Sequence, residues 1–152
     1  MLQLNLPSYE YRLRENFGKL QIFDSIRKKY IQLTPEEWVR QHILNLLNNH
    51  LNYPSALTKV ESGLKYNSRQ KRTDVMVYAQ DLSPLVLVEC KAPDVPINQK
   101  VIDQLSVYNV ECKAPLLIIS NGVQTFAMLC QNEGQTEMLK EIPPFEDLIQ
   151  RL

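Results

Sequence analysis

Residues 72–91 read Arg72-Thr-Asp74-Val-Met-Val-Tyr78-Ala-Gln-Asp81-Leu-Ser-Pro84-Leu-Val-Leu-Val88-Glu89-Cys-Lys91, two apolar runs around a turn. Their β-branched and aromatic side chains predict strands over Arg72–Ala79 and Leu85–Lys91, with Asp81-Leu82-Ser83-Pro84 between them. Three charged residues interrupt the pattern: Asp74 inside the first run, Glu89 and Lys91 at the end of the second. Burying an ionised group is costly unless it is paired or binds a metal, so all three require an explanation.

Strand side chains alternate, so Glu89 and Lys91 point one way and Cys90 the other. If the two strands pair as a hairpin, Asp74 lies beside Glu89. Two carboxylates together suit a hard cation such as Mg2+, which takes oxygen ligands and retains waters. A neighbouring lysine is placed to position or deprotonate a water, or to steady charge developing on a phosphate. That is a phosphodiester-hydrolysing site in outline. The structural alternative is a salt-bridge cluster in which Lys91 and Arg72 balance the two acids.

Working outward, Thr34-Pro35-Glu36-Glu37 predicts a helix start: Thr as N-cap, Pro at the first position, Glu three after the cap. The helix is expected to run to about Asn49 on a stripe of Val39, Ile43, Leu46 and Leu47. A strand follows at Leu57–Glu61. Beyond Lys91 come a helix at Asn98–Asn109 and strands at Pro115–Ser120 and Val123–Leu129. Asn121-Gly122 joins that last pair and predicts a two-residue hairpin turn with positive φ at both positions. Gly134 marks a further turn, and a short helix ends the chain at Phe145–Arg151. The N-terminal 33 residues read as an extension holding a small hairpin, Tyr9–Arg14 with Lys19–Phe23. Residues 34–152 form the main domain. Its order, α-β-β-β-α-β-β, predicts an α/β fold.

Composition limits the function classes. The chain has 152 residues, 17 Lys plus Arg and 17 Asp plus Glu. Zero net charge gives no global attraction to nucleic acid, so such binding must come from local patches. Basic residues gather in 1–33 and again at Lys59, Lys65, Arg69, Lys71 and Arg72. A loop carrying Lys65, Arg69 and Lys71 before the Asp74 strand is suited to DNA phosphates; the alternative is an exposed hairpin tip. Cys90, Cys112 and Cys130 show no metal or disulfide spacing and read as small buried hydrophobes. No stretch is apolar enough to span a bilayer, and Met1–Pro7 leads into no signal-peptide core, so a cytoplasmic protein with no membrane contact is expected. His42 and His50 suit surface or partly buried roles.

Five blocks then carry a resemblance: Thr34-Pro-Glu-Glu-Trp-Val-Arg-Gln41, Lys71-Arg-Thr-Asp74, Val88-Glu-Cys-Lys-Ala-Pro93, Gln104-Leu-Ser-Val-Tyr108-Asn and Ser120-Asn-Gly122. In order and approximate spacing, over about residues 20–145, they resemble the restriction-endonuclease-like domain at the N-terminus of type I restriction enzyme R subunits. The resemblance implies a PD-(D/E)xK fold, a central mixed sheet flanked by helices, and Mg2+-dependent cleavage of DNA, with Mn2+ as a substitute ion. It makes Asp74 and Glu89 metal ligands and Lys91 the catalytic lysine. Gln104 and Tyr108 match a QxxxY element of related nucleases; four apart on a helix, they share a face and reach towards the site or the DNA backbone. Tyr108 also continues an apolar stripe and suits the core. Glu37 lies where the superfamily often carries a further metal-holding acid, although the helix cap explains it locally. Arg40, one turn on, pairs with phosphate or with Glu36.

No GxxxxGK[ST] loop is present, so this stretch carries no DNA-pumping motor. The expectation is a deoxyribonuclease, endo- or exonucleolytic, acting alone or with a helicase, translocase or other restriction-system subunit. A homodimer fits double-strand cutting. Two alternatives stay open: a non-cleaving DNA-binding module, and a protein-interaction module that keeps the fold.

Overall fold

The computed structural model describes residues 1–60, 63–66, 69–72, 74–131 and 135–152, with backbone alone for 63–66 and 69–72. Three strands open the chain: β1 (Leu13–Asn16), β2 (Lys19–Asp24) and β3 (Lys29–Gln32), all antiparallel. The predicted hairpin is there, shifted towards its turn, which shrinks to Phe17 and Gly18 at φ 50° and 74°. β3 was not expected: with few apolar residues of its own, it forms by pairing with β2.

Helix α1 (Pro35–Asn45) starts as predicted, with Thr34 Oγ1 accepting the Glu37 N–H at 3.0 Å. It continues as a π-helical turn over Leu46–His50. β4 (Thr58–Val60) follows a 3-10 turn, and β5 (Gly63–Tyr66) pairs with β6 (Arg69–Arg72) as a separate ribbon, so Lys65, Arg69 and Lys71 lie on the strands of a hairpin and not in the loop expected. The strand expected over Arg72–Ala79 is divided: Arg72 closes β6, and β7 spans Val75–Tyr78. Next come β8 (Pro84–Cys90), α2 (Gln99–Cys112), β9 (Leu116–Ser120), β10 (Thr125–Cys130), β11 (Thr136–Leu139) and α3 (Phe145–Arg151). Gly134 lies outside the described residues.

Six strands form one mixed sheet in the order β11-β10-β9-β8-β7-β4. Among the described strands only β8 and β9 run parallel, because α2 carries the chain across the sheet between them. The near-continuous apolar run of β8 follows from cover on both faces. Val86, Val88 and Cys90 pack with Val39, Ile43 and Leu47 of the α1 region, whereas Leu87 packs with Leu105 and Tyr108 of α2. Each such aliphatic side chain contributes about 1.5–3 kcal/mol on burial. The sheet flanked by helices is the α/β arrangement the sequence implied, and no described helix is long and apolar enough to cross a membrane.

Residues 1–33 are not set apart from this core. Leu4 and Ile22 are buried in the same cluster as Val39. Leu4 lies over Gly122, and the Asn5 N–H donates to the Gly122 carbonyl at 2.8 Å. The Asn121-Gly122 turn is longer than its dipeptide suggests. Ser120 pairs with Thr125 across a four-residue loop, and only Gly122 has positive φ, at 83°. Asn121 acts through its side chain instead, accepting the Val123 and Gln124 N–H groups at 3.0 and 2.8 Å.

Candidate active site

The antiparallel pairing of β7 with β8 sets Val75 opposite Val88. One residue further, that register brings Asp74 opposite Glu89. A hydrogen bond fixes the position: Asp74 Oδ2 accepts the Cys90 N–H at 2.7 Å. Glu89 Oε1 lies 3.2 Å from Lys91 Nζ. The Asp74, Glu89 and Lys91 side chains are 14%, 17% and 30% exposed, so water reaches all three at this end of the sheet. The parallel neighbour holds the strand end, since the Lys91 N–H donates to the Ser120 carbonyl at 2.8 Å. Asn121 adds a second brace by donating to the Val95 carbonyl at 2.9 Å.

Cys90, between the two functional candidates, is buried and points to the α1 side of the sheet. Burial, then the charge of Asp74, pushes its thiol well above the ordinary range; Arg40 opposes and Glu89 and Glu36 reinforce the effect. The thiol is therefore protonated and a poor nucleophile. All three cysteines are free.

Behind Asp74 stands a chain of ion pairs that the sequence did not announce. Arg40 Nη2 donates to Asp74 Oδ1 at 2.5 Å and to Glu36 Oε2 at 3.0 Å, and its Nη1 donates to Glu37 Oε1 at 2.6 Å. Arg27 Nη2 donates to the other Glu37 oxygen at 2.9 Å, and its Nε to Asp24 Oδ2 at 2.7 Å. Gln41 bridges Asp24 and Glu37, at 2.9 and 3.0 Å. Asp24, Glu37, Arg40 and Gln41 are all buried. Burial pulls the Arg40 guanidinium down, but the Asp74 hydrogen bond and the Glu37 and Asp74 charges outweigh it and hold its pKa raised.

This network places two of the candidates. Glu37 has both carboxylate oxygens engaged by Arg27, Arg40 and Gln41, and its side chain serves the network rather than closing a capping box onto Thr34. Arg40 is 4% exposed and takes the Glu36 partner, together with Glu37 and Asp74. A phosphate would have to displace those carboxylates to reach it.

On α2, Gln104 is exposed while Tyr108, one turn on, is buried at 2%. Burial, then Cys112, raises the Tyr108 hydroxyl pKa, with lesser contributions from Tyr78 and Glu89. The side chains of Lys65, Arg69, Lys71 and Arg72 lie outside the described residues. His42 is buried, its Nδ1 2.8 Å from the Trp38 carbonyl, which suits packing rather than chemistry. Among the described residues, no three or more His, Cys, Asp or Glu side chains come together as a ligand set. The oxygen donors at the strand end are the pair Asp74 and Glu89.

Sequence reasoning missed Asp24, Arg27 and Gln41. A signal existed for Asp24: it falls in register with the buried Ile22 along β2, where a charge has no place unless paired.

Residues 35–143 match the family described as type I restriction enzyme R protein N terminus. Among solved structures, a fragment assigned as an HsdR subunit of a type I restriction enzyme from Vibrio vulnificus is similar, with TM-score 0.59 and 18% identity. The similarity covers 78% of this chain but only 25% of that one, so the chain spans about a quarter of its length. A protein assigned as a nuclease from Anabaena variabilis gives TM-score 0.49 and 12% identity, covering 97% of this chain and 88% of that one. No curated protein matches the chain.

Proposed function

This chain belongs to the family of type I restriction enzyme R protein N-terminal domains, and on that premise we propose that it is a PD-(D/E)xK nuclease domain hydrolysing DNA phosphodiester bonds with Mg2+. The observation that carries the reading is the meeting of Asp74, Glu89 and Lys91 at one accessible strand end, with Asp74 fixed by the Cys90 N–H at 2.7 Å. Asp74 and Glu89 would hold the ion, for which one or two carboxylates suffice because Mg2+ keeps several waters. The ion would polarise the phosphate and lower the pKa of a bound water. Lys91 would steady charge on the phosphate, and exposed Gln104 would meet the DNA backbone. Tyr108 would act from the core side, holding α2 against Leu87 of the strand that carries Glu89. A restriction system in the cytoplasm is the setting this reading implies, with DNA translocation supplied by another subunit or polypeptide.

The hydrogen bonds of Asp74 favour a second reading. Both of its carboxylate oxygens already have protein partners, Arg40 and Cys90, as they would in a non-cleaving DNA-binding module that kept the fold. Calorimetric titration of Mn2+ into the wild type and Asp74→Ala separates the two. Uptake by the wild type that the variant loses is expected for the nuclease. Uptake by neither protein, with DNA still bound, would favour the module.

A further inference from the structure

The N-terminal sheet has one face that contributes nothing to the core. Along β2, Ile22 and Asp24 are buried, so Lys19, Gln21 and Phe23 point to the other side. The strand registers set Arg14 opposite Gln21, and Phe23 opposite Tyr30. The outer face thus gathers Arg14, Lys19, Gln21, Phe23 and Tyr30. Arg12 joins them, its guanidinium 4.2 Å from the Phe23 ring centroid, and that of Arg14 lies 4.1 Å from Tyr30. The carboxylates of β1 and β2 belong to the opposite face: Glu15 alternates away from Arg14, and Asp24 is buried in the ion-pair chain.

At the tip stands Phe17, 97% exposed and held at φ 50°. Asn or Gly would form this turn with less strain, and an apolar ring in full solvent gains nothing from folding. The chain therefore maintains an aromatic ring at the end of a basic finger at a cost to its own stability.

We propose that this face docks a DNA strand with unpaired bases, Phe17 stacking on a base while Arg12, Arg14 and Lys19 neutralise phosphates. Phosphate-neutralising cations beside an exposed ring, here Phe17, are the chemistry single strands require, while the half-buried Phe23 and Tyr30 rings seat Arg12 and Arg14. Along β1 and β2 this face carries three cations, with one exposed acid, Glu10, at its edge beside Arg12, a balance that favours a polyanion over a protein partner. The inference rests on DNA being the substrate, as proposed above. It also gives the ion-pair chain a purpose: Asp24, on the inner face of β2, connects through Arg27, Glu37 and Arg40 to Asp74. A strand docked on the outer face is thereby held at a fixed position relative to the strand end that cuts.

The test is fluorescence anisotropy of a labelled single-stranded oligonucleotide, over a range of salt, with wild type, Phe17→Ala and Arg14→Gln. Phe17 is almost wholly exposed, so its removal leaves the fold intact. Loss of one stacked base is expected to weaken binding roughly five- to a hundredfold. Arg14→Gln is expected to reduce the slope of log K against log salt by about 0.7. If Phe17→Ala binds within twofold of wild type and Arg14→Gln keeps the full slope, the docking face is wrong. The nuclease reading would then still stand on its own evidence, Asp74-dependent nicking of a plasmid. A wild type that nicks plasmid without binding the oligonucleotide overturns this inference alone. A wild type that neither nicks nor binds overturns both.

Discussion

Arg40 Nη2 donates to Asp74 Oδ1 at 2.5 Å, linking the first helix to the sheet end across 34 residues of sequence. The same guanidinium holds Glu36 and Glu37, so one buried cation serves three carboxylates. Buried ion pairs are not in themselves strong sources of stability, but removing one partner leaves an uncompensated charge.

Arg40→Leu is accordingly expected to destabilise the protein by about 3–5 kcal/mol. Arg40→Lys keeps the charge but lacks the planar fork that reaches several acids, and is expected to lose about 1.5–3 kcal/mol. Urea midpoints at an unchanged slope would measure both. A loss below about 0.5 kcal/mol in Arg40→Leu, the range of an ordinary surface change, would mean the network holds nothing together.

Asp24 predicts an acid-dependent step. Burial alone would raise its pKa, but the Arg27 N–H, the Gln41 amide and the Arg27 guanidinium outweigh burial and hold it below 3.8. Above that value both folded and unfolded chains carry the ionised acid, and its contribution is fully present. As pH falls below 3.8 the unfolded chain takes up the proton first, so stability drops until the native acid also protonates. Thermal unfolding followed through this range should show the drop, and Asp24→Asn should flatten it. His42 acts in a higher window: burial, only partly offset by its bond to the Trp38 carbonyl, lowers its pKa from 6.5. Stability is therefore expected to begin declining as pH falls through that value, and His42→Gln should remove this upper step.

Gly122 predicts a coupling between the N-terminus and the β9–β10 loop. A Cβ there would lie 2.7 Å from Leu4 Cδ2 and 3.1 Å from Val39 Cγ2, at a φ of 83°. Gly122→Ala is expected to cost about 1–3 kcal/mol from the clash and the strained backbone together. Leu4→Ala opens the space, so the double variant should be more stable than the sum of the single losses predicts. Strict additivity would show that the N-terminal segment does not press on this loop in solution.

The parts of the fold that could be read in advance are those encoded by neighbours in sequence. Thr34 and Pro35 announce α1, and the alternation around Asp74 and Glu89 announces the central hairpin. β3, β5, β6 and β11 escaped because their four-residue segments have weak patterns and exist through the strands they pair with. The Asn121-Gly122 rule misread the loop because the side-chain bonds of Asn121 and the contact with Leu4 outweigh the dipeptide's usual turn. At the candidate site, Asp74, Glu89 and Lys91 stood out as charges in apolar runs. The link from Arg40 to Asp74 did not, nor did Arg27 behind Glu37, since both become relevant only once α1, the N-terminal sheet and β7 pack together.

The central claim, DNA hydrolysis at the Asp74 strand end, is tested most directly with Lys91→Met in a Mg2+-dependent plasmid nicking assay. Lys91 is 30% exposed and its pairing with Glu89 is partly solvated, so the substitution should change stability by no more than about 1 kcal/mol. Nicking by the wild type, with a loss of at least about a hundredfold in a variant of unchanged Tm, is the predicted result. Nicking by Lys91→Met at the wild-type rate, or no Mg2+-dependent nicking by a folded wild type, would contradict it.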